Sequence, residues 1–124
     1  MEKKYYVVGA NWSGEKKYDE FYRRGYWEMG YADENEPGFA KRRDDIRPGD
    51  RIAIKSMEGH AASTILIHAL GIVKEVAEGR VYVDWLITGL NRHVDAHGCL
   101  STIRGPFTLT EEKDKAWIQS VFCI

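Results

Sequence analysis

Apolar positions recur with two different periods along this 124-residue chain, and the period predicts the element. Lys4–Val8 is aromatic and β-branched, the signature of a strand. Between Lys17 and Arg24, Tyr18, Phe21 and Tyr22 fall at i, i+3 and i+4, one helical face, with Glu20 and Arg24 spaced to pair and Gly25 placed to stop the helix. Asp33–Gly38 is a polar turn, and a short helix is expected over Phe39–Asp45. Arg47-Pro48-Gly49-Asp50 reads as a tight turn into a strand over Arg51–Ser56, followed by a glycine-containing connection, Met57–Ser63. Thr64–Val76 is apolar and β-rich, with Gly71 where a bulge or bend belongs. Glu78-Gly79 turns it into a strand over Arg80–Ile87, where Val81, Val83, Trp85 and Ile87 alternate with Tyr82, Asp84 and Leu86. Thr88–Gly98 is a polar connector with a short strand around His93, and Leu100–Leu109 is extended. Thr110 is placed to cap a final helix with Glu111 and Glu112 in its first turn and Trp117 and Val121 on its apolar face. The expected fold is α+β: one domain over residues 1–124, built on a small curved mixed or antiparallel β-barrel of five to six strands, flanked by short helices that cover the ends.

Composition narrows the class. Hydrophobic residues make up 44% and charged residues 30%, and no apolar run approaches a membrane span. Met-Glu-Lys-Lys lacks the apolar core of a signal peptide. Cys99 and Cys123 are too few for a disulfide framework, so a reducing, cytoplasmic setting is expected. His60, His68, His93 and His97 have no ligand-like spacing with Cys99, so neither metal nor organic cofactor is implied. A formal net charge of −1 argues against gripping a long phosphate backbone. It leaves open the recognition of one extruded nucleotide by stacking and base-edge hydrogen bonds.

Trp27 follows the helix stop in Gly25-Tyr26-Trp27, a place from which an indole can wall a pocket and stack on a base. Trp12 follows the first strand, between Asn11 and Ser13, and Tyr31 precedes the acidic turn. Lys55 and Ser56 end a central strand, where a barrel mouth would lie. Trp85 shares a face with Val81 and Val83 and reads as core or pocket wall. Arg42 and Arg43, with Lys41 and Arg47, form the densest basic run, either a phosphate-contacting patch or a solvated face beside Asp44 and Asp45.

The order of these motifs resembles the PUA-like superfamily. The segments that carry the likeness are Tyr5–Trp12, Gly25-Tyr26-Trp27, Ile46–Ile54 with its Pro48-Gly49-Asp50, and Ala69–Val76 with Gly71-Ile72-Val73. Within the superfamily they are similar to EVE and EVE-like domains, and more distantly to YTH domains, which Tyr82–Leu86 followed by Arg92-His93-Val94 also resembles. Ser101-Thr102-Ile103 before the final helix looks like EVE-like domains at the N-terminus of modification-dependent restriction proteins. The resemblance implies a non-enzymatic reader of a modified, for example methylated, nucleobase in DNA or RNA, associated with or fused to a nuclease or AAA+ motor. It implies that Trp27 is the first cage tryptophan and that Asn11 and Ser13 contact the base or sugar; together with the residues read above, the expected pocket is Asn11, Trp12, Ser13, Trp27, Tyr31, Lys55, Ser56 and Trp85, with phosphate contacts expected from Arg42, Arg43 and Arg47. Ala77–Arg80 carries no second cage tryptophan, so Trp12, Tyr31 or Trp85 completes the cage and the identity of the base stays open. Two other classes stay open as well. One is a small ASCH-like hydrolase using Lys55, Thr64 and Glu28 or Glu75; the other is a protein-interaction domain.

Overall fold

The first apolar run forms β1 (Tyr5–Gly9), in which Tyr6 and Val8 are buried in one core cluster and Val7 in a second, on the opposite face. A strand apolar on both sides needs cover on both sides, and the whole architecture answers that need. The computed structural model describes residues 2–58 and 63–123. Its elements continue with a small ribbon, β2 (Asn11–Trp12) and β3 (Glu15–Lys16), then α1 (Tyr18–Arg24), β4 (Tyr26–Trp27), α2 (Pro37–Asp44) and β5 (Arg51–Met57). They end with β6 (Thr64–Ala77), β7 (Arg80–Ile87), β8 (Arg92–Asp95), β9 (Ile103–Phe107) and α3 (Glu112–Phe122).

The molecule is a small α+β domain with one mixed sheet. Its hydrogen-bonded order is β4-β7-β6-β5-β1-β9, with β8 also on β6. β1 and β5 run parallel and the other ladders are antiparallel. α1 and α2 add Phe21 and Ala40 to the core on one face, while α3 adds Trp117, Ile118 and Val121 on the other. The helices therefore cover faces rather than barrel ends. Among the described residues no ladder joins β9 to β4, so the sheet is open. Both ends are poor partners: β4 has two residues, and β9 contains Pro106, which has no N–H to donate.

Local signals account for most boundaries. α1 ends at Gly25, whose φ of 76° is the left-handed cap that glycine tolerates, and its N–H donates to the Phe21 carbonyl at 2.9 Å. Glu20 does not bond to Arg24; its carboxylate takes the Tyr26 hydroxyl at 2.6 Å and lies 3.7 Å from the Lys17 ammonium. α2 begins at Pro37, two residues ahead of expectation, because a fixed φ suits a first helical turn. α3 starts from Glu111, and the Thr110 hydroxyl donates to Glu2 instead of capping. Glu78 and Gly79, both at positive φ, make the two-residue hairpin between β6 and β7. The register shifts between Leu70 and Gly71, and a Cβ on Gly71 would lie 2.3 Å from Val83 Cγ1. Glycine is demanded there by close approach. The expected connection over Met57–Ser63 falls partly on residues 59–62, outside the described residues. No helix among the described residues is long and apolar enough to cross a membrane.

Candidate functional site

Because β1 and β5 are parallel neighbours, with Gly9 paired to Lys55, their C-terminal ends emerge at the same place. A cavity of about 510 Å³ opens there. One wall is the turn after β1, from Ala10 to Ser13. The opposite wall is Lys55, Ser56 and Met57 of β5 with Leu66 and His68 of β6, and Gly9, Lys16, Tyr18, Gly30, Tyr31 and Leu100–Thr102 also line the cavity. The β5–β6 ladder shifts register between Ile54, paired with Ala69, and Lys55, paired with Ile67; His68 of β6 is the extra residue, the kind of bulge that re-aims side chains beside a site. Asn11 holds the turn, its Oδ1 accepting the Gly14 N–H at 2.8 Å. Asn11, Trp12, Ser13, Tyr31, Lys55 and Ser56, six of the eight base-pocket candidates, thus meet at one cavity.

The other two do not line it. Trp27 is 0% exposed, and its Nε1 donates to the Gly9 carbonyl at 2.8 Å from within the core. Pairing of β4 with β7 sets Trp27 opposite Val81 and draws the indole under the sheet. The first cage position is therefore a core position here. Trp85 packs edge-on against Tyr22 and donates its Nε1 to the Phe21 carbonyl at 3.0 Å, which pins α1 to the sheet.

The lining is rich in donors and poor in acids. Among the described residues no aspartate or glutamate lines the cavity. Lys55 is 5% exposed, and no described carboxylate lies within ion-pair distance of it. Burial holds its ammonium below the ordinary lysine value, with the Cys99 thiol opposing that shift. The Trp12 Nε1 is enclosed and has no hydrogen-bond partner among the described residues, and its indole packs so tightly on Gly30 that a Cβ there would come within 2.7 Å. Trp12 is further fixed by Lys17, whose ammonium lies 4.7 Å from the ring centroid.

The neighbours of Ser56 in the cavity, His68 and Tyr18, went unseen as site residues in the sequence. Ser56 Oγ and His68 Nε2 are 2.7 Å apart, and the Tyr18 ring lies 4.7 Å from the imidazole. Burial, and then the Lys16 charge, lower the His68 pKa, so the ring is neutral at pH 7. The rim is apolar. Tyr31 (50% exposed), Met57 (45%) and Leu100 (54%) are three of the five exposed large hydrophobics among the described residues, and all three border this cavity. Such clustering marks a binding surface more than chance exposure does.

The basic run divides. Arg43 is buried and makes two 2.8 Å bonds to Asp33 and a third at 2.9 Å to Asp44, so it is a structural tie and not a phosphate contact. Arg47 lies away from the cavity, its Nη1 donating to the Asp44 and Ile46 carbonyls at the end of α2. Arg42 reaches the Ile103 carbonyl at 3.3 Å and borders an open hollow with Arg104 and Lys113. Arg104 has a buried Nε without a partner. It stands two residues beyond cavity-lining Thr102, about 7 Å along an extended strand. The hydrolase candidates are scattered: Thr64 donates to Glu58, Glu28 pairs with Arg80, and Glu75 borders a different hollow. Among the described residues no three His, Cys, Asp or Glu side chains come together as a metal site. No family model matches the chain, and no curated protein matches it.

Proposed function

We propose that this domain binds a single nucleobase, presented by a nucleic acid, in the cavity at the ends of β1 and β5. The observation that carries the reading is the pairing of an apolar rim with a donor-lined floor: Tyr31, Met57 and Leu100 at the mouth, Lys55 and Ser56 below. A base has the same two parts, flat apolar faces and a polar edge. The rim covers the faces and the floor reads the edge. The PUA-like, EVE-like affiliation belongs to this proposal, as does the modified state of the base. Tyr31, half exposed beside Phe39, is the stacking platform in place of Trp27. Arg42, Arg104 and Lys113 take the neighbouring phosphates and position the strand without reading it.

Binding of a series of oligonucleotides, identical except for one central base, tests the reading. Affinity should change with that base and be weakened by Tyr31→Ala. Equal affinity for every base would remove it. A hydrolase is favoured by one observation, the 2.7 Å Ser56–His68 contact, a nucleophile and base within reach of each other. Turnover of nucleoside esters or modified nucleosides that is abolished by Ser56→Ala would establish it. A protein-interaction domain would show no nucleic acid competing with its partner.

A further inference from the structure

The cavity's polar groups lean in one direction. A lysine ammonium has three N–H donors and no acceptor. Lys55 lines the cavity and lies buried without a described carboxylate partner. Asn11 already spends its Oδ1 on the Gly14 N–H, which leaves its amide N–H groups. Lys55 Nζ lies beside Gly9, where a Cβ would stand 3.9 Å from it, in ordinary contact. A ligand that offered more donors would leave these groups unsatisfied, and a buried unsatisfied donor is costly.

We propose that Lys55 reads the inserted base, and that the cavity selects bases carrying oxygen acceptors, a carbonyl or above all a carboxylate, on the edge that enters deepest. This rests on the base-binding reading and sharpens it. An exocyclic amine, as in N6-methyladenine, would set donor against donor. A carboxylate would supply the counter-charge that no described residue gives Lys55 and would form a charge-assisted hydrogen bond with it. The modification recognised is then an oxidised, acidic one in preference to a methylated amine.

The experiment uses one single-stranded DNA sequence with cytosine, 5-methylcytosine, 5-carboxycytosine, uracil or N6-methyladenine at the central position. Each is titrated against the wild-type chain and the Lys55→Met and Lys55→Gln variants. The wild type should bind the 5-carboxycytosine strand at least tenfold more tightly than the cytosine and N6-methyladenine strands. Both variants should bring these affinities together, and either one that folds suffices for the comparison. A preference that survives loss of Lys55, or one that favours N6-methyladenine, overturns the inference while the base-binding reading stands. An equal loss for every strand, cytosine included, overturns it differently, because Lys55 would then hold a phosphate. Wild-type affinity indifferent to the central base removes the base-binding reading and this inference with it.

Discussion

Trp27 and Tyr31 stand four positions apart in opposite roles. Trp27 fills the core and bonds to Gly9, so Trp27→Ala should cost about 3–5 kcal/mol of stability, the range for emptying a large aromatic site. Tyr31→Ala removes a half-exposed ring, so stability should move by no more than about 0.5 kcal/mol. Base binding should weaken by about 1–3 kcal/mol, the scale of one lost stacking partner. Chemical denaturation and oligonucleotide titration of the same two variants separate these outcomes. Arg43→Ala belongs with Trp27. It should lose about 1.5–3 kcal/mol with its charged hydrogen bonds to Asp33 and Asp44 and leave nucleic-acid affinity alone. His68 gives the site a pH signature. Its folded pKa lies below the ordinary 6.5 because burial, then Lys16, disfavours the charged ring. Below 6.5 the unfolded chain takes up the proton first, so this contribution is complete above 6.5 and is lost as pH falls through the lowered folded value. Ser56 and the Tyr18 ring pack on the imidazole, and Lys55 lines the same cavity. Denaturation of wild type and His68→Gln from pH 7.5 down to 5 should show the difference between them shrinking, and a pH-independent difference would contradict it.

At the scale of elements, β6 and β7 depend on Gly71 approaching Val83, and a side chain there must displace the valine or the strand. Gly71→Val should therefore destabilise by about 1–3 kcal/mol, the usual cost of overpacking, in a thermal or denaturant melt. These strands were legible in the sequence because their signals are local: alternation along Arg80–Ile87, a turn dipeptide, and a glycine inside an apolar run. The helix over Tyr18–Arg24 was legible for the same reason. The burial of Trp27 was not, since it follows from pairing with Val81, more than fifty residues away. Arg43 looked free beside two aspartates because its main partner, Asp33, lies across the turn that begins α2. Lys55 and Ser56 were found by their place at a strand end. His68, inside an apolar strand, offered no such mark; it reaches the cavity where the β5–β6 ladder changes register, between Ile54 and Lys55. Met57 and Leu100 gave no signal as rim residues, because exposure of an apolar side chain is a tertiary fact.

For the whole molecule, a net charge of −1 and a cation set divided between structural and free roles imply shallow electrostatics. Arg42, Arg104 and Lys113 can neutralise two to three phosphates, so log K against log salt should slope at roughly −1.5 to −2 on a single strand. Arg104→Ala should reduce that slope by about 0.7 and weaken modified and unmodified strands alike. A slope unchanged by Arg104→Ala would place the backbone elsewhere. The parallel pair β1 and β5 sets the geometry of the site, because it delivers Gly9 and Lys55 to one end of an open sheet whose faces are both covered. Backbone amide shifts of the uniformly labelled protein, followed while the tightest strand of the base series is added, test that geometry most directly. The largest changes are expected on residues 9–13, 30–31, 55–57 and 100–102, with residues 75–79 and the core amide of Trp27 little moved. Shifts centred on residues 75–79, or changes that do not depend on the central base, would contradict it.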